Sequence, residues 1–184
     1  FSLQLIMYGG WRFYPMSAAD RPPNLTLMTY NAGEHLFDLE KLSLFLSETP
    51  VDVIAFQEVP QVADIEQILM PPKWYVLRRD KLVVASRYPV AFVSALNRSA
   101  ITEGESYGLV YLMFDVRLPD RNVRCMNVHL DTPRGGLEPF LNRDFDLKNL
   151  RNNFRRRYHE TAMTATKAMD FGVSIILGDF NMPY

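Results

Sequence analysis

At 184 residues, with 48% hydrophobic and 22% charged side chains, the chain is long enough for one domain with its own core and needs no second. A formal net charge of −1 excludes a protein that coats nucleic acid through bulk positive charge. The single cysteine, Cys125, excludes an internal disulfide, and its place inside an apolar run marks it as a buried filler.

The apolar start, Phe1 to Tyr8, is too short to span a bilayer and reads as a first strand or the cut end of an anchor. Arg21-Pro22-Pro23-Asn24 separates this N-terminal segment, residues 1–24, from a domain over residues 25–184. Leu25 to Asn31 is the first clear strand. A helix follows from the N-cap Asp38, with Leu39, Leu42, Phe45 and Leu46 on one face, and Thr49-Pro50 stops it. Val51 to Gln57 is apolar on both faces, as a strand between layers should be. Gln61 to Leu69 has the spacing of a short helix.

The pattern then changes to successive strand-like runs: Trp74–Leu77, Leu82–Ser86, Val90–Leu96, Leu109–Leu118 and Val123–Leu130, which predict an antiparallel meander. After Gly135-Gly136 comes one long helix, about Asp146 to Asp170. Leu147, Leu150, Phe154, Tyr158, Ala162, Ala165 and Met169 recur along it as the buried face, and Gly172 is a suitable residue just past its end. Val173 to Leu177 is the last strand. Strands outnumber helices and both kinds of connection occur, so two packed sheets with helices outside are expected.

Charge is unevenly spread. Arg117 to Arg157 holds ten of the 20 Lys and Arg residues against five acids, through either a solvated helix face or a basic surface for an anion. Four apolar strands run into polar residues at their C-terminal ends: Asn31, then Gln57-Glu58, then His129 with Asp131 beyond, then Asp179-Phe180-Asn181. Side chains at strand ends in a layered fold can converge on one crevice. A carboxylate such as Glu58 beside a core wants a partner or a metal. An acidic pair alone also suits glycoside hydrolysis, but the amides Asn31 and Asn181 fit metal-shell and phosphate contacts better than an oxocarbenium ion.

Thr26-Leu-Met-Thr-Tyr-Asn31, Asp52-Val-Ile-Ala-Phe-Gln-Glu58, Asn127-Val-His129 and Leu177-Gly-Asp-Phe-Asn181 resemble, in order and spacing, the successive signatures of the endonuclease/exonuclease/phosphatase superfamily. The resemblance implies an α/β (α+β) sandwich of two mixed sheets flanked by helices, four layers in all. It implies Mg2+, with Mn2+ as a substitute, held at Glu58 and Asn31. Asp179 would orient or deprotonate the attacking water, Asn181 would bond a phosphate oxygen, and His129 would contact phosphate or assist the leaving group. The Glu58 and Asp179 carboxylates should then lie within roughly 10 Å of each other, so that one hydrated ion can bridge them. The loop His129-Leu-Asp-Thr-Pro-Arg-Gly-Gly136 could offer Arg134 and backbone N–H groups to a substrate anion.

The family also places an Asp-His pair near its C-terminus. His35, in a loop, and His159, on a helix, are expected to be solvated and to supply no substitute. The resemblance thus implies a domain truncated before the last catalytic motif, with an unpaired sheet edge and bare apolar surface beside the last strand. The loop after His129 further resembles a bacterial branch whose members carry N-terminal membrane helices, implying membrane association of the full-length protein.

The leading expectation is a Mg2+-dependent phosphoester hydrolase, with a small molecule or lipid headgroup favoured as substrate. A DNA endonuclease or exonuclease is the alternative, with Arg151 to Arg157 the candidate contact for nucleic acid. A non-catalytic binding or regulatory module on the same fold is the third. Nothing in the sequence assigns a localisation.

Overall fold

The computed structural model describes residues 3–6, 25–33, 38–60, 65, 69, 73–101, 107–134, 136–137 and 147–182. Nine strands form two sheets. The first has the order β1 (Leu3–Ile6), β2 (Leu25–Asn31), β3 (Val53–Gln57), β5 (Leu82–Ser86), β4 (Tyr75–Arg79). The second has the order β6 (Val90–Asn97), β7 (Leu109–Arg117), β8 (Asn122–His129), β9 (Ile175–Asp179). Parallel pairing joins β1 to β2, β2 to β3 and β8 to β9, and the remaining pairs are antiparallel, so both sheets are mixed. Helix α1 (Leu39–Glu48) and helix α2 (Leu147–Asp170) complete the expected four-layered sandwich. The segment over residues 1–24 contributes the outer strand β1.

The two sheets meet through alternate residues of their facing strands: Leu25, Leu27, Val53, Ala55, Leu82 and Val84 pack against Leu112, Phe114, Val116, Val123, Cys125 and Leu177. Ile54, Phe56, Val83 and Ala85 point the other way, into a core shared with Leu42 of α1. That two-sided burial explains why the β3 sequence is apolar throughout. Asp38 caps α1 by accepting from the Lys41 backbone N–H at 3.0 Å. Thr49, ahead of Pro50, ends it in an extended conformation.

Two expectations need correction. The run of strands after Trp74 is not one meander: β4 and β5 belong to the first sheet, β6 to β8 to the second. The chain crosses between sheets at Arg87-Tyr88-Pro89, where proline has no N–H to extend a ladder. The long helix has the expected bounds but the opposite face inward. Asn153, Glu160, Thr164 and Ala168 are buried, whereas Phe154 is 55% and Tyr158 71% exposed. Asn153 and Glu160 of that stripe bond backbone groups of the loop after β8, which an apolar stripe would leave orphaned. It follows that Arg156 and Arg157, next to that stripe, are half-buried, and only Arg151 and Arg155 of the basic run are exposed.

The helix expected over Gln61 to Leu69 lies outside the described residues except for Ile65 and Leu69, both buried. Among the described residues β9 pairs with β8 alone, and Ile176, Phe180 and Met182 are exposed beside that edge. No helix among the described residues is long and apolar enough to cross a membrane.

Candidate active site

The residues that face the other sheet end, strand by strand, in polar groups. In β2 the inward series Leu25, Leu27 continues to Thr29 and Asn31; in β3, Val53 and Ala55 lead to Gln57. In β8, Val123 and Cys125 lead to Asn127 and His129; in β9, Ile175 and Leu177 lead to Asp179. Parallel register brings the ends level: Asn31 opposite Gln57 and His129 opposite Asp179. The polar ends therefore gather at one rim of the sandwich, over an apolar interior.

Gly178 makes the β8–β9 half of this possible. A Cβ there would sit 2.0 Å from the Val128 carbonyl oxygen, so only glycine lets the strands approach this closely. Glu58 reaches the same rim by a different device. Alternation after the inward Gln57 would send it to the far face, but its φ of 55° turns the chain back. Asn181 also sits at positive φ, 47°, and its N–H donates to Asp179 Oδ1 at 2.8 Å.

Ligating atoms of Glu58, His129 and Asp179 all lie within 4.8 Å of one another, well inside the separation anticipated for the two carboxylates. Asn31 lies between them: its Nδ2 donates to Glu58 Oε1 at 2.9 Å and to Asp179 Oδ2 at 2.7 Å, while its Oδ1 accepts from the Gly33 N–H at 2.9 Å. As placed, Asn31 orients both carboxylates and turns its nitrogen, not its oxygen, toward them. His129 Nε2 is 3.1 Å from Glu58 Oε1. Burial lowers the His129 pKa and Arg98 adds to this, while Glu58, Asp179 and Glu160 pull it back up. A neutral imidazole can keep the contact by donating Nε2–H to the carboxylate, without the cost of a buried charge. Asn181 Nδ2 donates to the Leu130 carbonyl at 2.7 Å, tying the segment after β9 to the one after β8.

These groups open onto a cavity of about 470 Å³, whose lining also includes Arg98, Thr132 and Arg134. Arg134 is exposed at this rim, and His159 is exposed on α2. His35 lies outside the described residues. Gln57 and Asn127, both within the quoted motifs but given no role there, form a buried layer below the site; counting back two from His129 puts Asn127 on the inner face. Arg98, Arg157 and Glu160 also bear on the site. Arg98 sits in a short 3-10 turn and the other two on α2; no local pattern marks Arg98 or Glu160, and Arg157 stands out only as part of the basic run.

No protein-family model matches the sequence, and no curated protein is similar to it. Solved structures share the fold. Humanised D. rerio TDP2 with 14 mutations aligns with a TM-score of 0.60 at 15% identity, over 87% of this chain and 63% of that one. D. rerio TDP2 complexed with single-strand DNA product aligns with a TM-score of 0.57 at 13% identity, over 87% and 62%. ANGEL2, a 2',3'-cyclic phosphatase in complex with adenosine-2',3'-vanadate, aligns with a TM-score of 0.55 at 17% identity, over 84% and 53%. The chain thus spans between half and two-thirds of the length of these proteins. At these identities the likeness shows a fold shared with these structures.

Proposed function

We propose that this chain binds a divalent metal and belongs to a hydrolase of phosphoester bonds, with Mg2+ as the metal and Mn2+ as a substitute. The observation that carries this reading is the convergence of Glu58, His129 and Asp179 on a patch under 5 Å across, ordered by Asn31 and open to a cavity. Two carboxylates with few further ligands suit a hard cation that retains several waters. Glu58 and Asp179 would hold it, with Asn31 keeping the carboxylates in place. When bound, the ion supplies Lewis-acid stabilisation of negative charge at phosphorus.

The chain's own groups divide the remaining work. Asp179, with one oxygen taken by Asn31 and the other by the Asn181 N–H, is held rigidly enough to orient an attacking water. The neutral His129 can donate to a phosphate oxygen or to the leaving group. Asn181 and Arg134 are the proposed substrate contacts, and in the present geometry the Asn181 amide is bonded to the Leu130 carbonyl.

A small phosphoester or lipid headgroup is preferred over nucleic acid. Arg157 bonds two backbone carbonyls and Arg156 Nε lies 3.4 Å from Asp131 Oδ2, so half of the basic run on α2 is engaged within the protein. DNA is the second reading, prompted by the single-strand DNA product bound to D. rerio TDP2.

Hydrolysis of bis(4-nitrophenyl) phosphate with Mg2+ or Mn2+, lost on chelation and in Asp179→Asn, tests the enzyme reading. Metal binding without turnover would favour a binding module. Duplex DNA cleavage that weakens steeply with salt, and less so in Arg151→Ala/Arg155→Ala, would favour a nuclease.

A further inference from the structure

Behind the cavity lies a second polar assembly that the phosphoester reading leaves unused. Arg157, on α2, donates from one guanidinium nitrogen to the Asp131 carbonyl and from the other to the Asn181 carbonyl at 2.9 Å. Those carbonyls belong to different segments, one leaving β8 and the other leaving β9. Less than one helical turn further on, Glu160 is fully buried. Its Oε2 accepts from the Asp131 N–H at 2.7 Å and its Oε1 from Arg98 Nε at 2.6 Å. Arg98 in turn donates to the His129 carbonyl at 2.7 Å. The main chain at His129, Asp131 and Asn181 is thus held by three charged side chains from α2 and the turn after β6.

Stability alone is a weak reason for such an arrangement, because a buried ion pair roughly breaks even against apolar packing. A guanidinium fork, by contrast, fixes the relative position of two acceptors. We propose that Arg157 and Glu160 are positioning residues. From α2, Arg157 clamps the segments after β8 and β9 together while Glu160 fixes the first of them, and so they set the separation between His129 on one strand and Asp179 and Asn181 on the other. The catalytic consequence rests on the phosphoesterase reading; the clamp itself does not.

Backbone amide exchange, followed by NMR in the wild type and in Arg157→Met, Arg157→Lys and Glu160→Gln, tests the clamp. In Arg157→Met the Asp131 and Asn181 amides should exchange about tenfold faster while those of Phe114 and Met126 in the sheet keep their rates. Arg157→Lys, which keeps the charge but not the fork, should fall between. Glu160→Gln should affect Asp131 more than Asn181. If Arg157→Met proves too unstable to study, the lysine and glutamine variants carry the test alone.

With bis(4-nitrophenyl) phosphate and Mn2+, kcat should drop about tenfold in Arg157→Met with KM within about twofold, and recover in part in Arg157→Lys. Exchange at Asp131 and Asn181 unchanged in the folded variants would overturn the clamp. So would uniform acceleration across β7 and β8, which would make these residues ordinary stabilisers. A wild type without turnover whose variants still show the local exchange response would sink the phosphoesterase reading and leave the clamp standing.

Discussion

Gln57 and Asn127 join the two sheets beneath the site: Gln57 Nε2 donates to Asn127 Oδ1 at 2.7 Å, and both side chains are buried. Asn127 Nδ2 donates in turn to the Phe56 carbonyl at 2.9 Å. A bonded polar layer inside an apolar sandwich admits only one sliding position of one sheet over the other. Asn127→Leu keeps the volume but strips these bonds, taking a donor from the buried Phe56 carbonyl and leaving Gln57 Nε2 only its longer contacts with the Ala55 carbonyl at 3.0 Å and Thr29 Oγ1 at 3.1 Å. Urea unfolding should show a loss of about 2–3 kcal/mol, and a loss below about 0.5 kcal/mol would mean that water replaces the bonds.

Metal addition should stabilise the native chain. At about a hundredfold excess over its Kd, Mn2+ should add about 2.7 kcal/mol to the free energy of unfolding. Asp179→Asn and Glu58→Gln should each abolish most of that gain while leaving the metal-free protein folded, as judged by circular dichroism. An equal gain in wild type and both variants would place the ion elsewhere.

Acid sensitivity of the metal-free protein should trace in part to His129. Its folded pKa lies below the ordinary 6.5, with burial the largest cause. Between the folded value and 6.5 the unfolded chain binds the extra proton, so stability rises with pH across that window. The contribution is complete above about 6.5 and is lost as pH falls through the folded pKa. His129→Gln should flatten the stability profile in the pH range just below 6.5 in the presence of a chelator; a profile as steep as that of the wild type would assign the slope to the carboxylates.

Gly178→Ala should be severely destabilising. The added carbon would collide with the Val128 backbone, and the residue's φ of 139° suits no L side chain. About 3 kcal/mol or more should be lost, and metal binding should fail even where some fold persists. An alanine variant with wild-type stability and Mn2+ affinity would show that β8 and β9 can separate without harm to the site.

Strand-end chemistry was legible because alternation and motif order are local. Leu25–Asn31 has the anticipated bounds, Cys125 is buried, and the four motif segments meet. The inward face of α2 was not legible. Its apolar stripe through Phe154 and Tyr158 has ideal helical spacing, but the competing stripe is held by bonds to loops distant in sequence. Glu58 also escapes a period-two reading, because a positive φ at one residue reverses the side to which it points. The roles of Arg98 and Glu160 depend on a contact between residues 62 positions apart that no local pattern announces.

The bond from Asn31 to Asp179 spans 148 positions. The hairpins β4–β5 and β6–β7–β8 can close early through nearby contacts, whereas the parallel pairings β2–β3 and β8–β9 require long chain closures. During synthesis, then, a nascent chain can build much of both sheets and still have no cavity. The carboxylate pair comes together only after β9 has emerged from the ribosome and docked, so a metal site built on that pair cannot form before β9 pairs with β8.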